Sequence, residues 1–376
     1  MGWNIFRRKA VKLRVATLLC IALLPMTARF GSQSPAQLNA QTHAQSPAQA
    51  QNTPQPVHRG IGIAVPNHRL ITKYHNEFLS TYGIKLLYNV LDSGAIYRVY
   101  IRKKLREYNM PACLEYLPVI ESYYNPGAVS RTGAGGLWQF SLNSIQPYLA
   151  KNQYIDERFD PWRSTDAALV KLYENYKTFG DWTLALAAYN MGAGALQRVI
   201  KSAPNKNYWA LVDSGLIKKE TMEYVPKFLA IADLIMNAHY YKINLPEITA
   251  RDDIPFVYVP SPAGFNVRRF CARIGLDQFI FNFLNPSLLS EITPPNLAYR
   301  LRLPPVFQNA AVQYIASEGG SDSGTGFAAV TVKKGDTIWS IAKAYGISVS
   351  DFCAINGLSE NAVLTIGSVL YVPINK

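Results

Sequence analysis

The chain has 376 residues, of which 49% are hydrophobic and 17% are charged, and its formal net charge is +13. This composition excludes a disordered chain, and the length leaves room for two or three domains. The positive charge is spread along the sequence rather than gathered in one basic helix. It therefore favours adsorption to an anionic polymer or surface and does not indicate a nucleic-acid partner.

Residues 1–28 are typical of a secretory signal peptide. Five Lys or Arg side chains precede the apolar residues 15–26, which are too few to span a bilayer comfortably. Loss of this leader would lower the net charge from +13 by 5 to +8. The alternative is an uncleaved N-terminal anchor. Lipid attachment at Cys20 is not predicted, because Leu19 stands where a small residue is needed.

Residues 29–60 are rich in Gln, Ala, Ser and Pro and show no apolar period, which predicts a flexible tether. A leader followed by a tether indicates an exported protein that must reach a fixed substrate. Residues 61–110 show helical periodicity and predict a helical lead-in. Its basic side chains predict either a solvated helix face or a contact with an anionic glycan; they are Arg98, Arg102, Lys103, Lys104 and Arg106.

Glu121 ends an apolar run and is followed by aromatic residues and an Asn-Pro turn. The run, residues 113–120, predicts a buried helix that stops before Asn125 and Pro126. A carboxyl at such a helix end, among apolar and aromatic neighbours, is expected to have a raised pKa, as a general acid needs. For an isolated Glu the alternative is a structural ion pair or a loop cap.

Four motifs follow one another from this point. Glu121-Ser122 precedes A-x-S-x-x-G-A-x-G-L-x-Q at residues 128–139, A-Y-N-x-G at 188–192 and E-T-x-x-Y-V at 220–225. In this order they resemble the soluble-lytic-transglycosylase (goose-lysozyme-like) catalytic domain. The resemblance implies a mainly α, lysozyme-like domain, which we place at residues 111–245.

The resemblance also implies a mechanism with one carboxyl group, whereas glycosidases usually use two. Glu121 would protonate the oxygen between MurNAc and GlcNAc. The same group, now a base, would accept the proton of the MurNAc C6 hydroxyl as a 1,6-anhydro ring closes. No water, metal or other cofactor is required by this scheme.

The substrate-binding roles are carried over by motif position. Ser130 and Gln139 are expected to hydrogen-bond the N-acetyl or lactyl groups of MurNAc. Tyr189, with Asn190 beside it, is expected to contact the catalytic carboxyl or the sugar. Tyr224 is expected to line the site near the reacting ring. For either tyrosine, the alternative is a core aromatic without a role in binding.

Two alternatives to a lytic transglycosylase remain open at this point. A muramidase that hydrolyses the same bond would need a second carboxylate, and Asp156, Asp160 and Asp181 are available, although each suits a helix start or a turn. A non-catalytic wall-binding protein is the alternative from another class. Ser141 departs from the Met or Ile usual in the family, and this predicts an altered wall at one sugar subsite.

From residue 252 onward short alternating strands replace the helical pattern. Residues 252–305 and 329–375 predict two copies of one unit, since, for example, Asn285 and Asn356 lie 71 positions apart. Residues 317–328, between the copies, predict a linker from their Gly and Ser content.

The second copy resembles a LysM domain through the run VKKGDTIWSIA and its closing Val-Pro. The resemblance implies a βααβ unit that binds GlcNAc-containing glycans, with Gly335, Asp336 and Thr337 lining the groove. Trp339 and Ile341 are expected in the core. The first copy lacks the Gly-Asp-Thr loop, so we expect a degenerate LysM-like segment that acts as a structural spacer.

The predicted fold class is therefore multidomain: a mainly α lysozyme-like catalytic domain followed by small α+β (βααβ) LysM modules. The predicted function is that of a peptidoglycan lytic transglycosylase in the periplasm or cell envelope. Its expected partners are GlcNAc-MurNAc glycan strands, with no nucleic acid, no stable membrane span after signal cleavage, and a monomeric state. The five histidines lack an HExxH spacing, so no metal is expected, and the widely spaced cysteines are expected to be free, buried thiols.

Overall fold

The structure, a computed structural model, describes four stretches of the chain, residues 60–295, 298–317, 326–356 and 358–374. The predicted signal peptide and all of the predicted tether except Gly60 lie outside these stretches. In the part of the chain that is described, no helix is long and apolar enough to cross a membrane.

Residues 60–245 fold mainly into α-helices. Four of the helices begin at a short polar side chain, Ser80, Asp160, Asp181 or Asn207, which accepts hydrogen bonds from N–H groups of the first turn. The helices in chain order are α1 (Arg69–Leu79), α2 (Thr81–Glu107), α3 (Leu117–Glu121), α4 (Pro161–Phe179), α5 (Trp182–Met191), α6 (Ala193–Ser202), α7 (Tyr208–Asp213) and α8 (Lys219–Met236).

One hydrophobic core joins these helices. Helix α5 lies within it, with every side chain from Thr183 to Ala188 buried, as the apolar run at this position predicts. The lead-in helices bury side chains such as Phe78 and Leu91 in the same core. Residues 61–110 are therefore helical as expected, and they share one hydrophobic core with the helices that follow.

Two βααβ units follow, each with a two-stranded antiparallel sheet, and they confirm the predicted fold class. A further helix, α11 (Gln308–Ser317), separates the units. The first unit contains β1 (Val257–Ser261), α9 (Val267–Ile274), α10 (Gln278–Leu284) and β2 (Tyr299–Leu303). The second contains β3 (Gly326–Thr331), α12 (Ile338–Ala344), α13 (Val349–Asn356) and β4 (Val369–Ile374).

A buried Asn makes the same hydrogen bonds in both units. Asn285 Nδ2 donates to the carbonyl four residues earlier (2.9 Å) and to Arg302 O (2.8 Å), while its Oδ1 accepts from Arg302 N (2.8 Å). Asn356 makes the equivalent bonds of 2.9, 2.8 and 2.7 Å, the last two with Tyr371. In each unit the amide fixes the second helix to the last strand, which confirms the internal repeat.

The first unit packs directly against the catalytic domain. Arg302 on β2 forms a bidentate ion pair with Asp160, with Nη1–Oδ2 and Nη2–Oδ1 distances of 2.6 and 2.9 Å. Both side chains are almost fully buried. Trp162 of α4 packs edge-on against Phe256 and Phe283. The degenerate segment is thus joined to the catalytic domain through charged and aromatic contacts.

The predicted linker is wrong at both of its ends. Ser317 is the last residue of α11, and β3 already begins at Gly326. The Gly-rich composition suggested an irregular segment here, but antiparallel pairing of Gly326 with Ile374 holds the chain in a strand. The remaining predicted linker residues lie outside the described stretches.

Candidate active site

Glu121 is the last residue of α3, so it stands at the helix end that its sequence position predicts. The helix stops there because Tyr123 and Tyr124 both have left-handed backbone conformations, with φ of 52° and 53°. Such values are unfavourable for bulky residues and require support from the surroundings. Tyr124 supplies it, since its buried hydroxyl donates to Glu115 O (2.5 Å).

A buried ion cluster holds the segment that precedes α3. The Glu115 carboxylate accepts hydrogen bonds from Arg98 Nε (2.9 Å) and Arg102 Nε (2.7 Å). Gly94 of α2 makes room for the adjoining Tyr124 ring, because a Cβ there would lie 2.5 Å from the ring carbon Cγ. Neither alternative considered for the basic stretch holds for Arg98, which is buried in this cluster rather than exposed to solvent or glycan.

The Glu121 carboxyl has the electrostatic character of a group that can both give and accept a proton. Its loss of contact with water raises its pKa to about 7, and the charge of Glu220 acts in the same direction. A hydrogen bond from the Tyr224 hydroxyl to Oε1 and the positive charge of Lys171 oppose the rise. A pKa near neutrality suits general acid and general base catalysis at the same position.

The glycine-rich loop, residues 128–139, is fixed beside Glu121. Ser122 Oγ donates to Leu137 O (2.7 Å) and so ties the residue after Glu121 to this loop. Gly136 has φ of 83°, and a Cβ there would lie 1.7 Å from Arg158 O, so no other residue fits. Arg158 Nη1 also donates to Gly133 O (2.8 Å). Ser122 and Arg158 therefore shape the site; the sequence placed Ser122 in the first motif without a role and had not singled out Arg158.

Ser130 and Gln139 lie in this loop and make bonds within it. Ser130 Oγ accepts from Ala134 N (3.0 Å), while Gln139 Nε2 donates to the carbonyls of Gly136 (2.9 Å) and Ala128 (3.3 Å). Both side chains thereby stabilise the loop. Their expected contacts with MurNAc remain predictions.

The two predicted tyrosines differ in their partners. The hydroxyl that reaches the Glu121 carboxyl belongs to Tyr224, whereas the Tyr189 hydroxyl donates to Trp138 O (2.9 Å) and ties α5 to the glycine-rich loop. Tyr224 therefore makes the direct contact with the carboxyl that was one of the two contacts expected of Tyr189. Asn190 Oδ1 accepts from Thr221 Oγ1 (2.7 Å), which joins α5 to α8.

Lys171 of α4 is a further charged group at the site. Its half-buried side chain places Nζ 5.0 Å from the centre of the Tyr189 ring and 5.4 Å from that of Phe140. Burial lowers the pKa of Lys171, and the charge of Glu121 opposes this. No signal in the sequence marked it, because a Lys in an amphipathic helix ordinarily lies on the solvent face.

The three aspartates weighed as second catalytic groups all have structural partners. Asp156 pairs with Arg158 (2.7 Å), and Asp160 caps α4 while it pairs with Arg302. Asp181 caps α5. These roles at turns and helix starts are the ones that the sequence favours.

Across the described residues, no three His, Cys, Asp or Glu side chains are grouped so that they could hold a metal ion. Cys113, Cys271 and Cys353 are free and buried, one in each of the three folded units, which confirms the prediction for these thiols.

In the second βααβ unit, the predicted glycan-binding loop forms the start of α12. Asp336 Oδ2 accepts from Lys333 N (2.7 Å), and Gly335 has φ of 93°. Thr337 caps the helix together with Ser340 in a capping box. These contacts account for the loop's shape, and its role in glycan binding remains a prediction.

Two further residues of this unit were expected in its core. Ile341 is there, with 4% of its surface exposed. The expectation for Trp339 is wrong, since 60% of its surface is exposed and Lys343 Nζ lies 4.5 Å from its ring centre. Its neighbour Ile338 fills the inward position at the helix start instead, so the large ring lies outside.

Comparison with known proteins gives two family matches. Residues 98–212 match the transglycosylase SLT domain, and residues 330–373 match the LysM domain. The first match contains Glu121, the glycine-rich loop and Tyr189, whereas Tyr224 lies beyond its end.

Two curated relatives are similar to this chain over most of its length. The chain is 29% identical over 330 residues to membrane-bound lytic murein transglycosylase D of Escherichia coli (strain K12), which is 82% of this chain and 71% of that protein. It has the same identity and coverage with the protein of that name from Escherichia coli O6:H1 (strain CFT073).

Proposed function

We propose that this chain cleaves the MurNAc-β-1,4-GlcNAc bond of peptidoglycan without water. The chain is a lytic transglycosylase with an SLT catalytic domain and a LysM domain. The environment of Glu121 carries the proposal. This one carboxyl has a pKa near 7 and is held by Tyr224, while Asp156, Asp160 and Asp181 are engaged in structural contacts.

The reaction takes place in two proton transfers at Glu121. In the first, the protonated carboxyl donates to the glycosidic oxygen, the C1–O bond breaks, and an oxocarbenium-like centre forms at C1 of MurNAc. In the second, O6 bonds to C1 as the C6 hydroxyl gives its proton to the Glu121 carboxylate. The nucleophile belongs to the substrate, so one carboxyl suffices where a hydrolase commonly needs two.

The substrate is positioned by the loop and helices around Glu121. Ser130 and Gln139 bind the N-acetyl or lactyl groups of MurNAc from the loop that Ser122 ties to the catalytic segment. Tyr189 and Asn190 lie at the end of α5 and border the reacting sugar. The tie from Ser122 supports these roles, because it fixes the loop relative to the carboxyl.

The LysM domain holds the enzyme on GlcNAc-containing glycan through Gly335, Asp336 and Thr337. The protein acts in the periplasm or cell envelope as a monomer, exported by a signal peptide at residues 1–28 and reaching its substrate on a tether at 29–60. The name of the Escherichia coli relatives, which describes a membrane-bound enzyme of murein, supports an extracytoplasmic location.

Hydrolysis of the same bond is the second candidate function, and one observation favours it. Glu220, an exposed residue that opens the fourth motif, is close enough for its charge to raise the pKa of Glu121. A carboxylate in that position is a candidate base for a water molecule.

Digestion of purified peptidoglycan by the mature protein, Glu121→Gln and Glu220→Gln separates these functions. Mass spectrometry of the products is expected to find 1,6-anhydroMurNAc ends, each one water lighter than a reducing end, with the wild type and Glu220→Gln. Glu121→Gln is expected to give none. Reducing ends from the wild type that disappear in Glu220→Gln would establish the muramidase, and retained binding without any product would indicate a wall-binding protein.

A further inference from the structure

Lys171 has an environment unlike that of an ordinary surface lysine. Its ammonium lies over two aromatic rings, 5.0 Å from the Tyr189 centre and 5.4 Å from the Phe140 centre. These rings contact each other edge to face at 6.3 Å. The two rings thus stabilise a half-buried cation next to Tyr189, a residue of the third motif.

No acidic partner neutralises this cation directly. Among the hydrogen bonds and ion pairs of the described residues, none includes Lys171 Nζ. The negative charge that acts on Lys171 is that of Glu121. Lys171 lowers the pKa of Glu121, and Glu121 raises the pKa of Lys171, as two opposite charges that attract each other do. Holding a half-buried ammonium without a paired carboxylate is costly, which favours a role at the site.

Three groups act on the Glu121 carboxyl, a fourth, Tyr189, responds to its charge, and the four come from three helices. Tyr224 and Glu220 belong to α8, Tyr189 belongs to α5, and Lys171 belongs to α4. Tyr224 donates a hydrogen bond, Glu220 contributes negative charge, and Tyr189 is a neutral phenol whose pKa is raised far above its ordinary value. Among these four groups, Lys171 is thus the cation that acts on the carboxyl.

We propose that Lys171 is a positioning residue for the reaction, whose ammonium stabilises the Glu121 carboxylate that forms when the glycosidic oxygen is protonated. The inference rests on the proposed function, in which Glu121 alternates between acid and carboxylate. When the carboxyl gives up its proton, the charge that develops is met by a cation already in place. When it regains a proton from the C6 hydroxyl, Lys171 keeps its own proton and is unchanged.

The sign of the expected effect follows from electrostatics. Without Lys171 the carboxylate is less stable, so Glu121 holds its proton more tightly and donates it more slowly. Its pKa is expected to rise above 7 on the order of one unit, because a nearby opposite charge changes a carboxyl pKa by about that much. The alkaline limb of the pH profile then moves to higher pH, while the maximal kcat falls.

Three variants of the full mature protein test this proposal. Lys171→Met removes the charge but keeps an unbranched chain over the rings, and Lys171→Arg keeps the charge. Lys177→Met is the matched control, since Lys177 is an exposed residue of the same helix and lies 5.2 Å from the Tyr173 ring centre. Melting temperatures establish that each variant is folded.

The first readout is titration of the Glu121 carboxyl by ¹³C NMR without substrate, assigned with Glu121→Gln. We expect an upward pKa shift in Lys171→Met and none in Lys171→Arg or Lys177→Met. An unchanged Glu121 pKa in folded Lys171→Met would overturn the proposal. This titration does not depend on which product forms, so its outcome is separate from the test of the proposed function.

The second readout is the pH profile of kcat and KM on peptidoglycan strands with and without stem peptides. A lower maximal kcat and an alkaline limb displaced upward in Lys171→Met support the proposal. If KM instead rises only on the strands that carry stem peptides, and the pH profile does not move, Lys171 is a substrate contact and the proposal is overturned.

Discussion

The hydroxyl of Tyr224 donates a hydrogen bond to Oε1 of Glu121, from a position 103 residues further along the chain. This bond joins α8 to the end of α3 and so brings the first and last of the four motifs together. It favours the carboxylate and lowers the pKa that burial raises. Burial, and after it the negative charge of Glu121, raises the pKa of Tyr224, so the phenol keeps the proton it donates.

Replacement of Tyr224 by Phe removes this hydrogen bond and leaves the ring. The pKa of Glu121 is expected to rise above 7, because one of the groups that lower it is gone. A hydrogen bond to a charged group contributes about 1.5–3 kcal/mol, so kcat is expected to fall by about tenfold to a hundredfold. The measurement is the pH dependence of kcat on peptidoglycan.

Tyr189→Phe is the matched control for this prediction. It also removes one hydroxyl from the site, but that hydroxyl is bonded to Trp138 O rather than to the carboxyl. The alkaline limb is therefore expected to move much less than in Tyr224→Phe. Equal displacement in both variants would contradict the assignment of Tyr224 as the group that holds Glu121.

A second prediction concerns stability and pH. The pKa of Glu121 is about 7 in the folded protein, and 4.5 is its ordinary value. The folded state therefore binds more protons than the unfolded state between pH 4.5 and about pH 7. Stability therefore falls as pH rises through this window. Glu121→Gln lacks the effect, so its melting temperature is expected to equal that of the wild type below pH 4.5, and to exceed it increasingly up to about pH 7.

Glu107→Gln is the control for the pH series. Its hydrogen bond with Lys104 lowers the pKa of Glu107, so this residue contributes stability above its ordinary pKa of 4.5 that is lost in acid. The difference in melting temperature between Glu107→Gln and the wild type is thus expected to change with pH in the opposite direction, or not to change. A melting difference for Glu121→Gln that stays constant from pH 4 to 8 would argue against a raised pKa at the catalytic position.

The LysM domain allows stability and glycan binding to be separated. Thr337→Ala removes the cap of α12 and is expected to cost the domain about 1 kcal/mol. Trp339→Ala removes an exposed ring, so it is expected to leave the melting temperature unchanged. If the exposed ring contacts glycan, co-sedimentation with peptidoglycan falls in Trp339→Ala, and an unchanged bound fraction would exclude that contact.

Much of the fold was predictable because local signals agreed with packing. The apolar run of α5 and the spacing of Asn285 and Asn356 each indicated the structure that is found. Asp160, which the sequence suits to a helix start or a turn, caps α4, and Pro161 occupies the first turn, a position that proline favours.

For the candidate site, the sequence predicts members, whose roles remain predictions, and it does not specify their contacts. The motifs include Tyr189 and Tyr224, but the packing of α5 and α8 decides which hydroxyl reaches Glu121. Lys171 carries no motif, and its place beside two aromatic rings depends on how α4 lies against α5. Contacts of this kind arise from tertiary packing, which a single sequence with helical periodicity does not specify.

The last prediction concerns the buried ion pair between Asp160 and Arg302. Arg302→Met leaves Asp160 buried without its bidentate partner, which typically costs about 3–5 kcal/mol. Arg300→Met is the control, because Arg300 lies on the same strand but is exposed, over the Tyr258 ring. Thermal unfolding followed by calorimetry is expected to show a large loss of stability in the first variant alone.

The same pair is expected to couple the unfolding of the two units that it joins. With Arg302 present, the catalytic domain and the first βααβ unit should unfold in one transition, because this pair and Trp162 lie in their shared contact. In Arg302→Met the unit containing β2 should unfold at a lower temperature than α4. The double variant Asp160→Asn/Arg302→Met is expected to lose less stability than the sum of its single changes, since it leaves no buried charge unpaired. Strict additivity would mean that the two residues act independently.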